Sequence, residues 1–278
     1  RCCQNLMLRF LLAHTRGIIR LIVGLAVLAV LALGLFLPPL VRIVSSSTAD
    51  KLLLAMLGVW SRCTLLVMGV KVVSSGPKPA APYLLACNHL SYLDVMILWS
   101  QVDGFFLGKS ELAKWPVMGP LIRAAGTVFI NRTQRRGVVE AIKGITDKVN
   151  AGSGVIFFPE GTSSSGGEIR QYKSNMFQVA AQSELPVHIA VLRYTTSSKH
   201  NHAEKDMAWW GEMTFPPHFY KLLTFDNKVA QLDFLEETVA HADRKEMAQH
   251  AERLAVAAFD PMHQFDEIER GNDVSFIA

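Results

Sequence analysis

Tyr83-Leu84-Leu85-Ala86-Cys87-Asn88-His89-Leu90-Ser91-Tyr92-Leu93-Asp94 is an apolar run that breaks at two polar residues and resumes with a different period. Residues 83–87 read as a short buried strand, and 91–100 as a helix with Asp94 in its early turns. The chain downstream repeats this alternation. Phe105-Phe106-Leu107 and residues 126–130, 155–158 and 187–192 are strand candidates, with helices expected over 138–150 and 175–183. The succession predicts an α/β fold: a mixed, largely parallel sheet with helical crossovers. Residues 243–259 read as a late amphipathic helix.

Upstream of that domain the chemistry changes. Residues 21–37 contain no charge and no strongly polar side chain, which is about the length that crosses a bilayer core. Pro38-Pro39 is expected to end that helix. No small-x-small cleavage site follows, so a helical membrane anchor is favoured over a cleaved signal peptide. Residues 52–70 are again apolar but are interrupted by Arg62, which fits an amphipathic helix lying in the interface better than a second span. Arg9, Arg16 and Arg20 precede the apolar run, and Arg42 and Lys51 follow it, so flanking charge gives no single orientation. A half-inserted helical hairpin with both ends cytoplasmic removes the conflict. Ser74-Ser75-Gly76-Pro77-Lys78-Pro79 has linker composition. The expected organisation is membrane-anchoring helices over 1–75, an α/β domain over 76–258 and an acidic tail over 259–278.

The net charge of +4 conceals an asymmetry: residues 1–150 hold 17 Lys/Arg against 6 Asp/Glu, and residues 151–278 hold 11 against 18. A basic half that also carries the apolar segment suits an anionic membrane surface or a phosphate-bearing substrate. No nucleic-acid-binding motif accompanies it. Cys2, Cys3, Cys63 and Cys87 match no zinc spacing and suggest no disulfide framework. Cys87 is expected to be a packed core residue. His200-Asn201-His202 has no convincing third ligand, and no metal site is expected.

Three short segments carry chemistry. His89 stands five residues ahead of Asp94, the arrangement of a general base with an orienting carboxylate. Phe158-Pro159-Glu160-Gly161-Thr162 follows a strand, and sites in α/β folds gather at strand carboxyl ends. Gly161 permits close backbone approach there, and Thr162 offers a hydroxyl and an amide. Gly126-Thr127-Val128-Phe129-Ile130-Asn131-Arg132 ends in a guanidinium suited to phosphate. Gly108-Lys109-Ser110 is not a P-loop, because the apolar residues before it read as strand. No hydrolase nucleophile elbow is present around Gly161.

Together, and in this order, the His89-x4-Asp94, Gly126…Arg132 and Phe158–Thr162 segments resemble those of the glycerolipid acyltransferases, within them the bacterial 1-acyl-glycerol-3-phosphate acyltransferases. The resemblance covers roughly residues 76–195. It implies that His89 is the base and Asp94 its partner. It also implies that Arg132, Glu160 and Gly161 bind the acceptor around its phosphate, with Lys109, Thr162 and Lys173 in neighbouring matching segments. The implied reaction is O-acylation of a lysophospholipid by acyl-CoA or acyl-carrier protein, with no cofactor, at the bacterial inner membrane with the catalytic domain cytoplasmic. Ile189-Ala190 stands where such enzymes often carry a proline, and Ser174 where many have glycine. These departures bear on the acceptor more than on the reaction. Lyso-ornithine lipid acyltransferases share the motifs, and Trp209-Trp210-Gly211-Glu212-Met213 loosely resembles a segment of theirs. Hydrolysis by an acyl thioesterase or lipase, and a non-catalytic membrane adaptor, are the other readings.

Overall fold

The structure is a computed structural model describing residues 2–116, 118–130, 135–183, 185–197 and 200–262. Its core follows from period-two alternation in short apolar strands. In β2 (Leu84–Cys87), Leu85 and Cys87 join a cluster with Ile156, Ala190 and Leu192. Leu84 and Ala86 join a second cluster with Val155, Phe157, Ile189 and Val191. The two clusters are the two faces of one sheet. All four residues of β2 and of β5 (Gly154–Phe157) are buried, which is why both read as unbroken apolar runs.

The remaining strands are β1 (Val70–Ser75), β3 (Gly104–Lys109), β4 (Val128–Ile130), β6 (Val187–Thr196) and β7 (Lys228–Val239). They form a seven-stranded sheet in the order β1-β7-β6-β2-β5-β3-β4. Among the described residues, only the β6–β7 pair is antiparallel. One face is covered by α1 (Cys2–Gly34), α3 (Ser46–Met68), α4 (Leu93–Gln101) and α8 (Phe215–Thr224). The other is covered by α6 (Arg135–Asn150), α7 (Gln178–Ser183) and α9 (Arg244–Ala258), while the short α5 (Met118–Ala124) lies between β3 and β4 in the chain. This is the mixed, largely parallel sheet with helical crossovers that the alternation predicts. Strands β2, β3, β4 and β5 are parallel, so their carboxyl ends lie on one side.

Several elements differ from expectation. The first helix ends at Gly34, and Pro38-Pro39 occupy the first turn of a new helix, α2 (Leu37–Arg42), where a missing N–H costs nothing. The apolar stretch containing Arg62 is, as expected, an amphipathic helix, α3. It is N-capped by Ser45, whose hydroxyl accepts from Thr48 N–H, and closed by Gly69 at φ 68°. Its inward stripe runs Leu53, Leu54, Leu57, Ser61, Thr64, Leu65, Met68. Arg62 reaches the Ser100 carbonyl at 3.1 Å, near the carboxyl end of α4, where a cation is favoured. Among the described residues, two helical segments are long and apolar enough to cross a membrane: Met7–Arg42, with mean hydropathy 2.8 and 11% of its most apolar stretch buried, and Ser46–Met68, with 1.6 and 44%. The greater burial of the second reflects its inward stripe.

Val70–Ser75 lies inside the segment expected to be membrane-anchoring, yet it is a strand paired in parallel with β7 from Val70↔Lys228 to Ser75↔Asp233. Strand β7 and helix α8 were not expected at all. At the other end, Phe259 and Met262, placed by sequence in an acidic tail, are buried against the core. The expected 175–183 helix opens as a 3-10 turn (Ser174–Phe177) before α7. Asp243 caps α9, accepting from Lys245 and Glu246 N–H.

Candidate active site

The chain leaves β2 at Cys87 and must turn before α4 begins, and this turn holds the polar residues. Asn88 is fully buried. Its amide donates to the Leu192 carbonyl at 2.8 Å and accepts from the Leu192 N–H at 2.7 Å, acting as an extra rung between β2 and β6. The next residue, His89, is thereby fixed at the sheet's carboxyl end. Its Nδ1 donates to Asp94 Oδ2 at 2.6 Å. The same oxygen accepts from Leu90 N–H at 2.7 Å and Ser91 N–H at 3.0 Å, and Oδ1 accepts from the Tyr194 hydroxyl. Four donors thus fill the acceptor capacity of a carboxyl group with no exposure to solvent, which offsets its burial.

Asp94 accepts at Nδ1–H, so the imidazole presents Nε2 as its basic nitrogen. The His89 side chain is 22% exposed. Its ring lies nearly parallel to Phe158, with centroids 4.1 Å apart and planes 13° apart, and Phe158 stacks in turn on Phe106 at 5.6 Å. Ring rotation is therefore blocked from both the Asp94 and the Phe158 sides. Burial holds the Tyr194 hydroxyl well above the usual phenol range, so it stays a donor to Asp94.

The loop after β5 closes against this turn. Ser164 N–H donates to the His89 carbonyl at 2.9 Å, and Lys173 N–H donates to the Pro159 carbonyl at 2.9 Å. Gly161, at φ 72°, makes the tight turn in which its N–H bonds the Phe158 carbonyl at 3.0 Å; the left-handed backbone there favours glycine. Glu160 is 2% exposed, with Oε1 3.4 Å from His89 N and Oε2 buried without a hydrogen-bond partner among the described residues. Burial pushes its carboxyl up to about 8; the His89 N–H and Arg170 oppose this, and Asp94 reinforces it. At neutral pH Glu160 is largely a neutral acid set beneath the His89 turn.

The structure thus brings His89, Asp94, Glu160 and Gly161 together. Thr162 follows Gly161 and is exposed. Lys173 is exposed beside the same loop, and Lys109 ends β3 on the same side of the sheet. Arg132 lies outside the described residues. Cys87 is fully buried and its thiol is pushed up by burial and by Asp94 and Glu160, as suits a core residue. Sequence reasoning missed Asn88, Phe158 and Tyr194 as members of the site. Tyr194 left a signal: it lies two residues past Leu192 on the same strand face, and a buried tyrosine hydroxyl needs a partner.

A histidine whose Nδ1 is held by a buried carboxylate at strand carboxyl ends is the arrangement that general-base chemistry requires. The chain belongs to the acyltransferase family: the family model described as Acyltransferase matches residues 69–193. The lyso-ornithine lipid O-acyltransferase of Rhizobium meliloti (strain 1021) is 31% identical over 203 residues, covering 68% of this chain and 69% of that one. The 1-acyl-sn-glycerol-3-phosphate acyltransferase of Neisseria gonorrhoeae is 29% identical over 168 residues, covering 60% and 65%. The chain therefore spans about two thirds of the length of these relatives. The crystal structure of the 1-acyl-sn-glycerophosphate acyltransferase PlsC from Thermotoga maritima shares the fold, with a TM-score of 0.60 at 21% identity, over 87% of this chain and 95% of that one.

Proposed function

We propose that the protein is a membrane-bound O-acyltransferase that moves a fatty acyl group from acyl-CoA or acyl-carrier protein to the free hydroxyl of a lysolipid. The preferred acceptor in this reading is 1-acyl-sn-glycerol-3-phosphate, giving phosphatidic acid. The observation that carries it is the His89–Asp94 pair, in which the carboxylate holds Nδ1 and leaves Nε2 as the basic nitrogen. His89 Nε2 takes the proton of the hydroxyl as its oxygen attacks the thioester carbonyl. Collapse of the tetrahedral adduct forms the ester and breaks the C–S bond, and the departing sulfur takes the proton back from the imidazolium. No covalent enzyme intermediate is required. Asp94 supports the imidazolium charge at each turnover.

Support for a membrane setting is the apolar Met7–Arg42 segment, whose outward side chains include Ile22 (63% exposed), Val30 (71%) and Leu33 (71%). In this reading α1 and α2 associate with the bacterial inner membrane and the α/β domain faces the cytoplasm. Lyso-ornithine lipid is a second acceptor reading. It is favoured by the longer match to the R. meliloti enzyme, at 203 residues against 168 for the N. gonorrhoeae enzyme. Both acceptors use the same base and the same thioester. Competition between lysophosphatidic acid and lyso-ornithine lipid for labelled acyl groups separates them. Predominant phosphatidic acid supports the first reading; product from the ornithine acceptor alone replaces it with the second. Labelled fatty acid without either lipid would sink both and indicate a thioesterase.

A further inference from the structure

A second charged concavity lies away from His89. Gly126 and Thr127 precede β4 and Lys148 precedes β5, so this cleft sits at the amino ends of the parallel strands, opposite the catalytic turn. It holds about 360 Å³ between Pro38, Pro39, Arg42, Leu53, Arg123 and Lys148. Three cations meet here. Asp50, buried alongside, is the carboxylate paired with them: it accepts from Arg42 and, at 2.7 Å, from Lys148 Nζ. Two positive charges therefore remain in excess among the described residues. Arg42 spends one edge of its guanidinium on Asp50 and remains 46% exposed; Arg123 is exposed, with one nitrogen on the Ala113 carbonyl. A guanidinium has five donors, so both forks retain capacity for an oxyanion.

What adjoins the cleft narrows the ligand. The segment made of α2 and its flanking residues, which forms its wall, leaves Phe36 (72%), Leu40 (62%), Ile43 (83%) and Val44 (89%) exposed. These apolar side chains continue from the long apolar α1. A free anion has no use for such a rim, whereas an amphiphile with a phosphate head and acyl tails matches both parts. We propose that this cleft binds the phosphate head group of an anionic membrane phospholipid, seating α2 in the head-group layer separately from the substrate site. The proposal rests on the reading of α1 and α2 as membrane-associated.

Vesicle flotation of the full-length protein tests it, with phosphatidylcholine alone and with added phosphatidylglycerol. The expected result is partition onto both, about tenfold or more tighter with phosphatidylglycerol, following the attraction of juxtamembrane cations to anionic lipid. Arg42→Gln/Arg123→Gln should lose that gain while keeping partition onto phosphatidylcholine and acyl transfer in detergent. Lys71→Gln/Lys143→Gln, which removes two exposed cations outside the cleft, should keep the gain. A gain that survives in the arginine variant, or that falls equally in the lysine variant, overturns the proposal in favour of diffuse surface charge. Suppression of the gain by millimolar inorganic phosphate overturns the lipid as occupant and leaves a free-phosphate site. Failure to partition onto phosphatidylcholine would instead sink the membrane reading. Thermal stabilisation of the detergent-solubilised protein by short-chain phosphatidylglycerol, absent in Arg42→Gln/Arg123→Gln, then decides the cleft alone.

Discussion

Asp94 gathers four donors onto two oxygens, so the site's rigidity is set by one side chain. Removing the proposed base, His89→Ala, should lower kcat by about 10²–10⁴-fold with little change in thermal stability, because the ring is partly exposed. Tyr194→Phe tests the support rather than the base. It leaves Asp94 Oδ1 buried and unpaired, at a cost of about 1–3 kcal/mol in stability by denaturant titration, and should lower kcat more than it changes KM. Glu160 gives a pH signature. Its carboxyl titrates near 8 in the folded protein against a usual 4.5, so the folded state holds the proton more tightly. The stability it contributes is present in full below pH 4.5 and is lost as pH rises through 8. Glu160→Gln, which copies the neutral acid, should therefore flatten the stability slope between those limits and match or exceed the parent above pH 8. An unchanged slope in urea midpoints would refute the neutral acid. His89 and Asp94 were legible because their spacing is local, and Glu160 because it stands in a short motif of its own after a strand. Tyr194 and Asn88 were not, since both act through the register of β6 against β2, which no local pattern encodes.

At the scale of elements, α1 is tied to the domain by the charges that sequence alone assigned to membrane flanks. Arg20 donates to the Leu223 carbonyl at 3.1 Å, to the Phe225 carbonyl and to Asp226, and Arg16 also pairs with Asp226. His14 Nδ1 meets the Tyr220 hydroxyl at 2.9 Å. Helix α8 then leads from α1 to the catalytic turn, where His218 Nδ1 meets the Tyr92 hydroxyl at 3.0 Å. Arg20→Gln should loosen this link, raising amide exchange in α8 and lowering stability by about 1–3 kcal/mol, while β2 and β5 amides keep their protection. Equal loss of protection throughout would mean that α1 is integral to the whole core. The central strands were readable because burial on both faces makes them uniformly apolar. Strand β7 was not, because its inward residues begin with Lys228, whose Nζ is satisfied by the Leu222 and Phe225 carbonyls. Strand β1 was hidden by its continuity with the apolar α3 and by the linker-like Ser74-Ser75-Gly76.

The whole molecule places unlike chemistries at opposite ends of one sheet. The carboxyl ends of the parallel strands hold His89 and Glu160; their amino ends hold the cationic cleft beneath α2. The proposed substrates, a lysolipid acceptor and a long-chain acyl thioester, are both amphiphiles, and the exposed apolar side chains of α1 suit that reading. The measurement that tests the account most directly follows thiol release and acyl-lysolipid formation together, with radiolabelled acyl-CoA or acyl-carrier protein and a lysolipid acceptor. It compares the parent with His89→Ala. The account predicts one thiol released per ester formed, and a loss of both by about 10²–10⁴-fold in the variant. Thiol release matched by free fatty acid instead of ester, or full transfer by a folded His89→Ala protein, would contradict it.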